Sequence, residues 1–269
     1  MGAVDSIDEF RDVVHLASKF LICGNIRGEL PTEESKKVRR TNNRIGLGLM
    51  GLHEWLLKRG KKYEVDEELH SWLSIYKEES ERSANEHADR FYLPRPKRYR
   101  SIAPSGTISI LASTTSGIEP LYSIAYKRRY LTEGANWKYE YVVDATARRL
   151  IEEGNIDPST IETAHKLKLE QRIKFQADIQ KYVDMSISST INIPSWGTKY
   201  NNEDTLRKYS DLLYKYHREL RGITIFPDGS RGGQPLTEVS YDEAMKHKGV
   251  IFDESEEMKG GCTSGVCSV

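Results

Sequence analysis

Apolar positions along the chain change from helical to strand-like spacing and back several times. Ile7, Phe10, Val13, Val14, Ala17 and Leu21 recur at helical spacing and predict a helix over 5–22. Gly24 to Pro31 reads as a turn, and 33–60 as a helix with a small-residue face ending near Gly60. A polar helix is expected over 66–90, stopped by Pro94-Arg95-Pro96. Short apolar pieces over 99–121 suit a strand, a loop and a helix, and helices are expected over 139–153 and 160–188. Ser189-Thr-Ile-Asn-Ile-Pro194 alternates β-branched residues and stops at a proline, the profile of a short strand. Leu206, Tyr209, Leu213, Tyr216 and Leu220 mark an amphipathic helix over 203–220. A strand, Ile223-Thr-Ile-Phe226, follows and closes in the turn Pro227-Asp228-Gly229. Helices alternating with short β-branched strands predict an α/β architecture. From about 232 onward, polarity and Gly260-Gly261 predict a loosely held tail.

Composition narrows the class. The chain has 269 residues, 38% hydrophobic and 30% charged, the balance of a globular protein. Lys+Arg and Asp+Glu are both 40, so the net field favours neither nucleic acid nor an anionic membrane. Local charge is uneven. Arg90, Arg95, Lys97, Arg98 and Arg100 crowd the approach to residue 103, Lys127, Arg128 and Arg129 follow, and Asp253, Glu254, Glu256 and Glu257 make the end acidic. Such a basic stretch reads equally as a solvated face or as an anion-attracting one. No apolar run is long enough for a membrane span, and no signal peptide opens the chain. Met1-Gly-Ala-Val-Asp-Ser6 fits the loose myristoylation pattern, but a helix face follows at once, so acylation is not expected. Three cysteines do not make a secreted disulfide framework, and a reducing, cytoplasmic setting is expected.

Four segments bear on chemistry. Gly46-Leu-Gly48-Leu-Met-Gly51 has the letters of a dinucleotide fingerprint, but no strand is expected before it, so it reads as close helix packing. His53-Glu54 begins a zincin-like pair, yet Leu57 stands where the second histidine is needed. Ala103-Pro-Ser-Gly-Thr-Ile-Ser109 is richer. Pro104 fixes the approach, Gly106 lets backbone come close to a ligand, and Ser105, Thr107 and Ser109 supply hydroxyls. A helix beginning near Ile108 would aim its free N–H groups at an anion; by its residues alone the loop is also an ordinary turn. Cys262-Thr-Ser-Gly-Val-Cys267 can close a disulfide or serve as part of a zinc site, with exchange chemistry the better fit for a flexible dithiol.

Several segments together resemble the ribonucleotide reductase large subunit. They are Arg44-Ile-Gly-Leu-Gly-Leu-Met-Gly51, Ile102-Ala-Pro-Ser-Gly-Thr-Ile-Ser109, Ser116-Gly-Ile-Glu-Pro120, Phe175-Gln176 through Asp184, Ser189–Pro194 and Gly222–Arg231, in the family's order. The terminal cysteine pair resembles the redox tail of several members. The resemblance implies the C-terminal half of a ten-stranded α/β barrel over 1–235 and a flexible acidic tail over 236–269. It implies that Pro104, Ser105, Gly106, Thr107 and Ile108 hold the phosphates of a ribonucleotide substrate. It also implies that Cys262 and Cys267 re-reduce the active-site disulfide and are themselves reduced by a thioredoxin- or glutaredoxin-like protein. The family's radical cysteine lies upstream, so an N-terminal part is the expected partner; Cys23 matches the helix after that region. Class I enzymes need a tyrosine pair where this chain has Ile225-Phe226-Pro227, and phenylalanine has no phenolic proton to lose. The resemblance is therefore to the class II enzymes, whose cofactor is adenosylcobalamin. No C-terminal glycyl-radical motif points to class III.

Overall fold

A computed structural model describes residues 1–132, 136–228 and 236–253. Its frame is a set of parallel extended segments. Residues 45–49 lie beside 99–102, with Leu47 opposite Arg100; the Leu47 amide donates to the Tyr99 carbonyl (2.9 Å) and the Ser101 amide to the Leu47 carbonyl (3.1 Å). Ile102 pairs in parallel with Ile187, and the Ser188 amide donates to the Ile102 carbonyl at 2.7 Å. That segment runs into β3 (Thr190–Ile193), which pairs in parallel with β4 (Thr224–Pro227).

Parallel neighbours need long crossovers, and helices supply them. α1 (Ile7–Arg27) and α2 (Glu33–Asn42) precede the first segment. α3 (Leu52–Lys58) and α4 (Glu67–Arg90) lead to the second. α5 (Gly106–Leu111), α6 (Ala145–Glu152) and α7 (Leu169–Gln180) lie between the second and third, and α8 (Glu203–Tyr216) joins β3 to β4. A separate antiparallel sheet has the order β5-β1-β2-β6. It is built from β1 (Ala125–Thr132), β2 (Asn136–Val143), β5 (Leu236–Val239) and β6 (Ile251–Asp253), with α9 (Tyr241–Lys246) between the last two.

Caps set the helix ends. Ser6, Thr32 and Asp66 accept main-chain N–H groups at the starts of α1, α2 and α4. The main core joins α1, α3 and α4 to the strands. Trp55 is fully buried, with its ring 5.1 Å from Trp72, which in turn lies 5.0 Å from Phe10. Polar side chains then fix the strand register. Asp184 accepts the amides of Tyr99 (2.9 Å) and Arg100 (2.7 Å). Gln180 donates to the carbonyls of Val183 and Met185 and accepts the Arg221 amide. Gln176 donates to the Gly222 carbonyl at 2.6 Å.

The structure departs from the expected elements in five places. α1 runs on to Arg27, through the start of the turn expected at Gly24. The helix expected over 33–60 is broken: Asn43 ends α2 in a left-handed conformation, and 45–49 is extended. Ile45-Gly-Leu47-Gly-Leu49 is a period-two pattern whose glycines made it look like a small-residue helix face. At Gly48 a side chain would meet the Ser101 carbonyl at 3.0 Å, so the close approach is strand to strand. The helix expected over 139–153 is β2 as far as Val143, in keeping with its aromatic and β-branched residues, and only then α6. The helix expected over 160–188 is confined to Leu169–Gln180. Finally, 236–253, expected to be loosely held, pairs with the β1–β2 hairpin. Its polar residues are those of an edge, where one side of each strand faces water. No described helix is long and apolar enough to cross a membrane.

Candidate functional site

Ligands of open α/β sheets bind beyond the carboxyl ends of the strands. Here those ends carry 103–108 after the second segment, Pro194 after β3 and Asp228 after β4. The sequence-predicted loop therefore leaves the sheet at the chemically useful edge. Pro104, Gly106, Thr107 and Ile108 are exposed. A side chain built at Gly106 would meet nothing within 4 Å, so the loop opens onto free space. α5 starts at Gly106, two residues earlier than the expected helix.

Ser105 differs from its neighbours. It is half-buried and does not cap α5. Its Oγ lies 3.1 Å from Ser116 Oγ and accepts the Gly117 amide at 3.0 Å. The turn that holds it, 116–119, is fixed in turn. Tyr63 donates its hydroxyl to the Ile118 carbonyl, and Glu119 Oε1 accepts the Thr190 amide at 2.7 Å. Burial pushes the Glu119 carboxyl above the usual range, against the opposing pull of that amide and of Arg172. Arg172 donates to the Thr190 carbonyl at 2.7 Å.

The other sequence candidates resolve into structural roles. His53 is buried, accepts the Leu121 amide on Nδ1 at 2.9 Å, and is held neutral by desolvation and then by Arg172, its pKa lowered to about 3. Glu54 is buried between Arg149 (2.6 Å) and Lys58 (3.2 Å). Gly46 and Gly48 sit inside a strand, not in a strand-to-helix turn, so the fingerprint reading stays rejected. Much of the basic stretch before 103 is engaged away from the loop. Arg95 pairs with Asp89, while buried Arg100 binds the Tyr182 and Lys77 carbonyls, Ser80 and Glu81. Cys23 Sγ lies 3.3 Å from His87 Nε2, between α1 and α4. Cys262 and Cys267 fall outside the described residues.

Sequence reasoning missed one cluster at the same edge. His165 stands 3.6 Å from Asp228 and 3.9 Å from Glu238, with Tyr122 edge-on to its ring at 4.8 Å. Its members come from four separate stretches of chain, so no local pattern could have announced it.

Comparison with known proteins places the chain in a family. The family model "Ribonucleotide reductase, barrel domain" matches residues 3–77 and 97–226. The vitamin B12-dependent ribonucleoside-diphosphate reductase of Thermoplasma acidophilum is 29% identical, over 88% of this chain and 35% of its own length. That of Mycobacterium tuberculosis is 28% identical, over 99% of this chain and 42% of its length. A putative adenosylcobalamin-dependent ribonucleoside-triphosphate reductase of Mycobacterium phage D29 is 27% identical, over all of this chain and 42% of its own. The chain thus spans about two-fifths of the length of these relatives. A crystal structure of a B12-dependent (class II) ribonucleotide reductase superposes with a TM-score of 0.72 at 16% identity, over 98% of this chain and 40% of that one. The class Id alpha subunit of Actinobacillus ureae gives 0.61 over 82% of this chain and 48% of that one, at 18% identity. With the family model matched along most of its length and the parallel strands of the class II barrel in place, the chain belongs to the ribonucleotide reductase barrel-domain family.

Proposed function

We propose that this chain is a component of an adenosylcobalamin-dependent ribonucleotide reductase, which converts ribonucleotides to 2'-deoxyribonucleotides by radical chemistry. It supplies the substrate-phosphate loop and the disulfide-reducing tail, while an N-terminal part carries the radical cysteine. One observation carries the reading: Pro104-Ser-Gly-Thr-Ile108 leaves the carboxyl end of a parallel strand with open space over Gly106. Backbone amides and the Thr107 hydroxyl there suit phosphate oxygens, for which charge-assisted hydrogen bonds are the strong ones.

The class rests on β4. Phe226 occupies the stretch where a proton-coupled relay would need tyrosine, and the relatives named above are B12-dependent. Along α5, Ile108, Ile110 and Leu111 are 62%, 69% and 86% exposed, apolar surface of the kind that marks a ligand or partner contact. Adenosylcobalamin, when bound, supplies the radical chemistry. The residues of this chain bind the phosphates and orient the nucleotide. Cys262 and Cys267 form the reversible disulfide that renews the active site and is reduced by a thioredoxin- or glutaredoxin-like protein.

Gly106→Val tests the loop. A Cβ added there meets no protein atom within 4 Å, so folding is expected to be unchanged while the methyl groups crowd the phosphate's space. Substrate affinity of the assembled enzyme should fall about ten- to a hundredfold, the worth of a lost charge-assisted hydrogen bond. Unchanged affinity would make the loop structural.

A further inference from the structure

The half-buried serine of the phosphate loop is tied inward, whereas the residues after it are free. Ser105 Oγ accepts the Gly117 amide and lies 3.1 Å from Ser116 Oγ, so two of the three hydrogen-bonding capacities of its hydroxyl are turned to 116–119. Gly117 has a φ of +51°, and a side chain there would lie 3.2 Å from Ile102 Cγ2. The turn therefore sits hard against the strand from which the loop departs. Its far end is fastened to the neighbouring strand by Glu119 and the Thr190 amide, and its middle by Tyr63. On the loop side, the Ser105 carbonyl accepts the Ser109 amide at 2.7 Å, which sets the first turn of α5.

We propose that Ser105 is a positioning residue: it does not bind the phosphate but latches the loop to the turn 116–119, holding Gly106 and Thr107 in place for the ligand. The division of labour follows from exposure and bonding. Thr107 is exposed, while Ser105 is half-buried with its Oγ turned inward to Ser116 and the Gly117 amide. Ser116 contributes through Ser105 alone. The Gly117 amide remains a partner of Ser105 when the Ser116 hydroxyl is removed, so Ser116 is the weaker half of the latch. This assignment rests on the phosphate reading of the loop, and its test separates the two.

Amide hydrogen exchange and calorimetric titration with inorganic pyrophosphate are measured on the full chain. Ser105→Ala should speed exchange at Ser109 and Gly117 and weaken pyrophosphate binding, each by about tenfold, the scale of one or two lost neutral hydrogen bonds. Exchange at Leu56 in the main core should stay unchanged, which a general loss of stability would not allow. Ser105→Thr keeps the hydroxyl and should restore both readouts. Ser116→Ala should produce a smaller effect of the same kind. Thr107→Ala should weaken binding with no change in exchange. Weaker binding by Ser105→Ala with unaltered exchange at Ser109 would make Ser105 a direct ligand and overturn the proposal. So would faster exchange in loop and core alike. If the unaltered chain binds no pyrophosphate, the phosphate reading falls, while exchange at Ser109 still decides whether the latch exists.

Discussion

Glu119 Oε1 takes the Thr190 amide at 2.7 Å and so joins the turn that holds Ser105 to the first residue of β3. The contact lets one carboxylate serve two strands of the sheet. Glu119→Gln keeps an acceptor for that amide, whereas Glu119→Ala leaves a half-buried N–H unpaired. The alanine variant should lose about 1–3 kcal/mol of stability and the glutamine variant much less. Urea unfolding of the two variants checks this, and equal losses would remove the role assigned to the bond.

His53 gives the fold an acid limit. Its pKa is lowered from 6.5 to about 3 by burial, so the unfolded chain takes up a proton that the folded chain refuses. The stability His53 contributes is whole above pH 6.5 and is lost as pH falls from there toward 3. His53→Gln should flatten this part of the profile, even where its own stability is lower. Melting temperatures at pH 7 and pH 4.5 provide the comparison; parallel profiles for the variant and the unaltered chain would refute it.

Trp55 lies at the centre of the α1–α3–α4 core, fully buried, against Trp72 and under the guanidinium of Arg59 at 4.3 Å. Trp55→Ala should cost about 3–5 kcal/mol, the usual range for a large aromatic truncated in a core. A loss below about 1 kcal/mol, measured by denaturant unfolding, would mean that this core does not hold the sheet together.

How much of this could be read from the sequence depended on where each signal was stored. α1, α4 and α8 carried their own periodicity, and the structure contains all three, α4 and α8 near the expected bounds and α1 running five residues past its expected end. The 45–49 strand was hidden because glycine has no hydropathy to mark a face, and the close approach that calls for Gly48 lies with Ser101, far along the chain. β2 was mistaken for a helix because its apolar residues run straight into those of α6, although Tyr139, Tyr141 and Val143 alternate along a hairpin whose other arm, β1, is next in sequence. The letters of 103–109 singled out a loop at the carboxyl edge of the strands, but not that Ser105 turns inward to Ser116. The cluster of His165, Asp228 and Glu238 exists only through tertiary contact.

The cysteine tail yields a kinetic prediction. Changing Cys262 and Cys267 together to serine should spare the first turnover of the assembled enzyme and abolish further turnover with a protein reductant. A small dithiol that diffuses to the active site should restore cycling. Burst kinetics distinguish these cases, and full multiple turnover by the double variant with the protein reductant would exclude the redox role.

The most direct measurement is deoxyribonucleotide formation by this chain mixed with an N-terminal reductase part that carries the radical cysteine. Activity is predicted only when both polypeptides and adenosylcobalamin are present, and none from either alone. Turnover by this chain by itself, or activity that depends on a separate iron-radical protein in place of adenosylcobalamin, would contradict the account.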